Sequence, residues 1–368
     1  MAAPKGFTGQ LTQSTVLATM YHMLIGQEVF SKNISLKGTL VDKFRLDGTL
    51  YGDTKLFIST DIGTLYDFGA SGKTLLSKTN PKDPETQAVT IDTFKQTAIT
   101  IDGVKLKQAF MSADIYQAFT SVVLQWLRDT MKVLNVTLIN AFIGTVVTAA
   151  DQAEITIEFP AQPVGTSIVE LRNYRSYQAE LIGATLADVA IDLQDALRAF
   201  NDYGFLRAYD LSDFMIVWNK KWSNMIRHIS LPMIFHKDDV MTKEMESVII
   251  NDRFFGDVLT VAGTSTGVER TLVDRVVTVG AEDMQLFPGD IIPTGATYAK
   301  DEAYTVNVNI IGKIVHKRAV PFMSALVVQT EFYNAMDLDR NHYLTWGYSE
   351  PTYLKEYPII TFVADYKA

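Results

Sequence analysis

A chain of 368 residues is long enough for about two domains or one elaborate domain, and 47% apolar with 20% charged content excludes a largely disordered protein. The net charge of −9, with no long run of either sign, argues against sequence-specific nucleic-acid binding as the main task. With no cysteine there are no disulfides, no thiolate metal sites and no thiol nucleophile, so stability must come from packing and from neighbouring subunits.

Residues 1–10 contain Lys5 and two glycines but no continuous apolar stretch, so no secretory signal is expected. An extended tail then leads into a short helix over Leu11–Leu24. From Leu40 the pattern reads strand, turn, strand: Leu40–Leu46, the turn signal Asp47-Gly48, and Leu56–Ser59. This hairpin-like arm, Leu40–Ile62, is too long and too polar-edged to bury itself. A glycine- and lysine-rich loop, Gly69–Pro84, follows, and alternating Val89, Ile91, Ile99, Ile101 and Val104 give short strands.

Ser112–Val147 then carries the helical pattern. It has no proline, its only glycine is Gly144, and its length corresponds to roughly 50 Å of helix. Apolar residues recur at helical spacing, and Phe119, Val122, Val123, Trp126, Ile139 and Phe142 are the expected core face. The residues Gln125, Arg128, Asp129 and Lys132 across its middle exclude a membrane span.

Ile155–Phe159 reads as a strand stopped by Pro160 and Pro163. A second helix is expected to begin at a Thr185/Asp188 capping pair and to run through Leu197 and Phe200 to Gly204. Phe214–Trp218 reads as a buried strand, with Asn219 capping a helix through Trp222 and Ile226. Further strands are expected at Ser247–Ile250, Val258–Val261, Leu272–Val279, Tyr304–Ile311, Ala325–Thr330 and Ile359–Val363. The class is α+β, with no internal repeat.

No constellation of catalytic residues is visible. Gly69–Thr74 ends like a phosphate-binding loop, but the first glycine of that motif would fall on Asp67, so the segment reads as a surface loop. Asp337, Asp339 and Asn341 imitate the opening of a calcium loop. The required glycine and glutamate positions hold His342 and Tyr348, which points to a turn between strands. The histidines lack metal-ligand spacing, and no cofactor is implied. Two basic and aromatic clusters, Lys220, Lys221, Trp222, Arg227 and His228, and Arg172, Tyr174, Arg175 and Tyr177, read as solvated or intersubunit faces.

Together the arm and the long helix resemble the major capsid proteins of small podoviruses of the Bacillus phage phi-29 type, which have the Hong Kong 97 capsid fold. The resemblance rests on Phe44, Arg45, Gly52, Thr54, Ile58 and Thr60-Asp61-Ile62 in the arm. At the helix entrance it rests on Leu106, Lys107, Ala109, Phe110, Ser112, Phe119 and Ser121. The segment Asp213–Trp222 and the final Phe362-Val363 match later parts of the family pattern. The sequence ends five residues after Val363, so the immunoglobulin-like appendage of some relatives is not expected.

The resemblance implies an N-terminal arm over 1–35, an extended E-loop over 36–96, and a peripheral domain over 97–182 that includes the spine helix. It further implies an axial domain over 183–300 and a return to the peripheral domain over 301–368. Phe44, Arg45, Asp47, Gly48, Tyr51, Gly52, Thr54 and Ile58 would lie in the intersubunit E-loop. The implied role is structural: pentamers and hexamers tiling an icosahedral shell around the double-stranded DNA of a tailed phage. Scaffolding protein and portal would be assembly partners, packaged DNA would be a non-specific neighbour, no membrane would be involved, and assembly would take place in the host cytoplasm. Two alternatives stay open on residues alone: an encapsulin-like compartment shell, and an enzyme whose site is assembled in space.

Overall fold

The structure, a computed structural model, describes residues 40–47, 54–63, 65, 82–102, 113–163, 167–229, 245–259, 267–279 and 282–367. The expected helix at Leu11–Leu24, the turn residues Gly48, Tyr51 and Gly52, the loop Gly69–Thr74, and Leu106–Phe110 with Ser112 lie outside the described residues. So do the side chains of Phe119 and Val123.

Four helices and sixteen strands are described. The strands are β1 (Arg45–Asp47), β2 (Thr54–Ser59), β3 (Glu85–Thr90), β4 (Thr93–Asp102), β5 (Glu154–Phe159) and β6 (Phe214–Asn219). They continue with β7 (Glu246–Ile250), β8 (Gly256–Val258), β9 (Glu269–Thr271), β10 (Arg275–Val279) and β11 (Glu282–Leu286). The last five are β12 (Ala303–Val306), β13 (Ile310–His316), β14 (Phe322–Asn334), β15 (Asp339–Tyr348) and β16 (Ile359–Tyr366). None of the described helices is long and apolar enough to cross a membrane.

Contacts divide the chain into two compact units. Phe94–Lys132 and Leu326–Gly347 belong to one, and Lys37–Thr93, Val133–Ala325 and Tyr348–Ala368 to the other. The second is built on a five-stranded sheet in the order β5-β16-β13-β6-β7. β16 and β13 are antiparallel, as are β13 and β6, while β5 and β7 join in parallel at the two ends. Every residue of β13 is buried. The sheet joins β5, β13 and β16 from the stretches expected in the peripheral domain to β6 and β7 from the stretch expected in the axial domain.

One sheet face meets the helix Ile168–Gln194, whose stripe Ile182, Leu186, Val189, Ala190 and Leu193 packs with Phe214, Ile216, Ile314, Ile360 and Phe362. This helix begins well before the expected cap. Thr185 lies mid-helix, where its hydroxyl donates to the Leu181 carbonyl at 2.9 Å, so it caps nothing. Leu197 and Phe200 come after the helix rather than inside it. The helix Lys220–Ile229 follows β6 as expected, and the Asn219 side chain accepts from the Lys221 amide at 3.1 Å.

The long helix is Ala113–Thr145, 33 residues, within two residues of its expected bounds. Leu127, Leu134, Leu138, Ala141 and Thr145 form its buried stripe, at spacings of seven, four, three and four. Ile139 is fully buried, and Val122 and Phe142 are half-buried. Trp126, expected in the core, is instead 36% exposed. It lies one residue, about 100°, away from Leu127, where the covered stripe begins. Gly144 packs so closely that a Cβ there would sit 2.0 Å from the Phe254 carbonyl oxygen.

Candidate intersubunit surfaces

The arm differs from its sequence reading. Leu40–Phe44 is a short helix rather than a strand, because Leu40, Val41 and Phe44 bury together at helical spacing. β1 does not turn back on β2. It runs parallel to the start of β14, with Arg45 opposite Phe322 and Asp47 opposite Ser324. Phe44 is 2% exposed, and the Arg45 guanidinium donates to Ser324 Oγ at 3.0 Å. Phe44, expected on the exposed arm, is thus buried in the subunit body, and the backbone of Arg45–Asp47 pairs there while the Arg45 side chain stays exposed.

The hairpin that does form is β2 with β3, antiparallel, with Thr54 opposite Thr90 and Ser59 opposite Glu85. Among the described residues it is a sheet of two strands, with both ladder edges open. Residues opposite one another share a face, so Leu56 and Ile58 project with Ala88 and Thr86. That face is open: Leu56 is 58% and Ile58 63% exposed. Thr54 lies on it too, its hydroxyl 2.9 Å from that of Thr90. The other face is tied down. Val89 is buried, Gln87 Nε2 donates to the Tyr353 carbonyl at 2.7 Å, and the Lys355 amide donates to Gln87 Oε1 at 3.1 Å.

Polar groups hold the root of this hairpin. The nearly buried Asp61 carboxylate accepts from Arg198 at 2.8 Å, from the Ile62 and Leu206 amides at 2.9 and 3.1 Å, and from Lys82 at 3.3 Å. The Arg198 guanidinium first, and then the amide donors, hold its pKa well below the usual carboxylate range. Arg207 donates to the Thr60 carbonyl at 2.7 Å and pairs with Glu356, which also accepts from the Ser59 hydroxyl.

A second open apolar surface was not foreseen. Among the described residues, β1 pairs with β14 at Phe322–Ser324 alone, and beyond it Val327, Phe332 and Tyr333 are 55%, 63% and 50% exposed. Paired neighbours such as Val327-Val328 and Phe332-Tyr333 break the one-face alternation of a half-buried strand, and this signal was available in the sequence. Asp337 and Leu338 form the turn between β14 and β15, as the calcium-loop imitation was read, with Leu338 at φ 56°. Of the basic and aromatic clusters, Lys220, Lys221, Arg172, Arg175 and Tyr177 are exposed. Trp222 is core. It is 3% exposed, stacks on Phe159, and donates from its indole nitrogen to the Val308 carbonyl at 3.1 Å.

The model of the Phi29-like phage major capsid protein family matches residues 25–354. The chain belongs to this family. Solved structures agree on the fold. A chain in the capsid of Staphylococcus phage Andhra superposes with a TM-score of 0.63 at 14% identity, covering 92% of this chain and 87% of that one. One in the structure of bacteriophage P68 with its head fibre and inner core protein gives 0.60 at 13%, with coverages of 92% and 87%. A chain in the capsid of cyanophage P-SCSP1u gives 0.50 at 10%, with 93% of each covered. No match is found among curated protein sequences. The expected Hong Kong 97 capsid fold is therefore the fold of this major capsid protein, which builds the shell of a phage head. The family is structural, not enzymatic, and the encapsulin-like and enzymatic alternatives give way to it.

Proposed function

We propose that the capsid protein tiles a closed icosahedral shell as pentamers and hexamers, and that the outer face of the β2/β3 hairpin lies on a neighbouring subunit. The observation that carries this reading is Leu56 and Ile58, two large apolar side chains facing solvent from a hairpin anchored only on its other face. Completing their burial would contribute about 2–4 kcal/mol per arm, a term repeated at every subunit of a shell. Thr54 belongs to the same contact, whereas Phe44 is buried within the subunit. The exposed apolar side chains of β14 serve as a second seam between copies. The shell encloses double-stranded DNA, and a net charge of −9 suits loose containment rather than tight binding. Scaffolding protein and portal join during assembly in the host cytoplasm.

The test is Leu56→Lys with Ile58→Lys, expressed with the scaffolding protein. Unchanged circular dichroism of the subunit, with closed particles lost in sedimentation and electron microscopy, is the expected result. Normal particles from the double variant would overturn the arm contact.

A further inference from the structure

Directional polar bonds hold the root of the arm beside an open pocket. Asp61 follows β2 and Lys82 precedes β3, so one carboxylate ties both chains of the hairpin together. Its bonds to Arg198 and to the Leu206 amide fasten them to a single loop of the body. Arg198 also donates to the Gly204 carbonyl at 2.8 Å, where φ is 63°, and so fixes the shape of that loop. The Lys82 ammonium and the Arg207 guanidinium lie 4.9 and 5.3 Å from the Phe205 ring centroid. Beside the joint, around the Arg207–Glu356 pair, is an open pocket of about 290 Å³, lined by Phe57, Ser59, Tyr203, Arg207, Glu356 and Tyr357 among others. On this unfilled side contact packing sets the angle weakly, and directional hydrogen bonds set it more strongly.

We propose that Asp61 is a positioning residue for assembly: it touches no neighbouring subunit, yet it fixes the direction in which the β2/β3 hairpin leaves the body and hence the curvature that the shell can close with. This rests on the arm reading above. Asp61→Asn keeps the shape of the side chain but removes its charge and half of its acceptor capacity toward four donors.

Purified full-length Asp61→Asn would be compared with wild type by hydrogen exchange and by assembly with the scaffolding protein. Amides of β2 and β3 are expected to exchange about tenfold faster while those of β13 and β16 stay unchanged. Closed particles are expected to give way to open or irregular sheets. Arg198→Gln, at an arginine whose side chain is 51% exposed and therefore tolerant of change, should show the same pattern if Asp61→Asn does not fold. Closed particles at wild-type yield would overturn the proposal. So would faster exchange spread equally over β13 and β16, because that is simple destabilisation. If Leu56→Lys with Ile58→Lys blocks closure and Asp61→Asn does not, this inference alone fails; if neither blocks closure, the arm reading fails first.

Discussion

Lys313 projects from the middle of β13 and donates to the main-chain oxygen of Val146, one residue beyond the long helix, at 2.6 Å. The carbonyl end of that helix favours a cation, but the side chain is fully enclosed. Burial lowers the ammonium pKa from 10.5 to about 7, against smaller upward effects of Asp257 and Glu154.

Below pH 7 the folded and unfolded chains both hold this proton, and the folded chain bears the whole desolvation penalty. Above pH 7 the folded chain releases it first, so stability rises toward pH 10.5. Lys313→Met is expected to stabilise the subunit at pH 6 by about 2–4 kcal/mol, the desolvation relieved less the orphaned Val146 carbonyl. That advantage should shrink by about 3 kcal/mol between pH 6 and pH 9 in urea titrations. A difference independent of pH would show that the lysine is charged or neutral throughout.

His316 acts with the same sign in a more acidic window. It stacks on Tyr357 with ring centroids 4.2 Å apart, and its Nδ1 accepts from the Arg318 amide at 3.1 Å. Burial lowers its pKa from 6.5 to about 4, so between those values the unfolded chain binds the extra proton and stability is lost as pH falls. The loss from this group reaches about 3 kcal/mol below pH 4. His316→Phe should melt with a shallower acid dependence than wild type over pH 4 to 6.5, and parallel curves would contradict the assignment.

At Gly144 two effects oppose each other. Alanine gains about 1 kcal/mol of helix propensity, but its Cβ would lie 2.0 Å from the Phe254 carbonyl oxygen, where only backbone can give way. Overpacking of this kind costs about 1–3 kcal/mol, and often more against backbone, so Gly144→Ala should lower the melting midpoint. A rise would mean that the two segments separate freely.

Two positions on the long helix separate its covered and open sides. Leu134→Ala, at a residue 4% exposed, should destabilise by about 2–5 kcal/mol. Trp126→Ala should cost less, because part of the indole already faces solvent. Equal losses in denaturant titrations of the isolated subunit would place Trp126 back in the core.

What was legible in the sequence was local. The long helix shows itself through an unbroken run without proline, and β5, β6, β7 and β16 through β-branched and aromatic runs. The partner of β2 was not legible. Asp47-Gly48 looks like a hairpin turn, but β2 pairs with β3 across residues 60–84, a choice made by burial of Val89 and the bonds of Gln87 to Tyr353 and Lys355. Tertiary packing likewise turned Leu40–Phe44 into a helix, since its three apolar residues are buried at helical spacing. Thr185 imitated a cap because a helix-interior threonine can satisfy its hydroxyl on the preceding turn. The root of the arm was out of reach for the same reason as β3: Asp61, Arg198 and Glu356 are brought together only by the fold.

The most direct test of the account is electron cryo-microscopy of particles assembled from this chain and its scaffolding protein. A closed shell in which Leu56 and Ile58 are covered by an adjacent subunit, with Asp61 still bound to Arg198 of its own subunit, is the expected result. Particles in which that hairpin face remains open to solvent would contradict it.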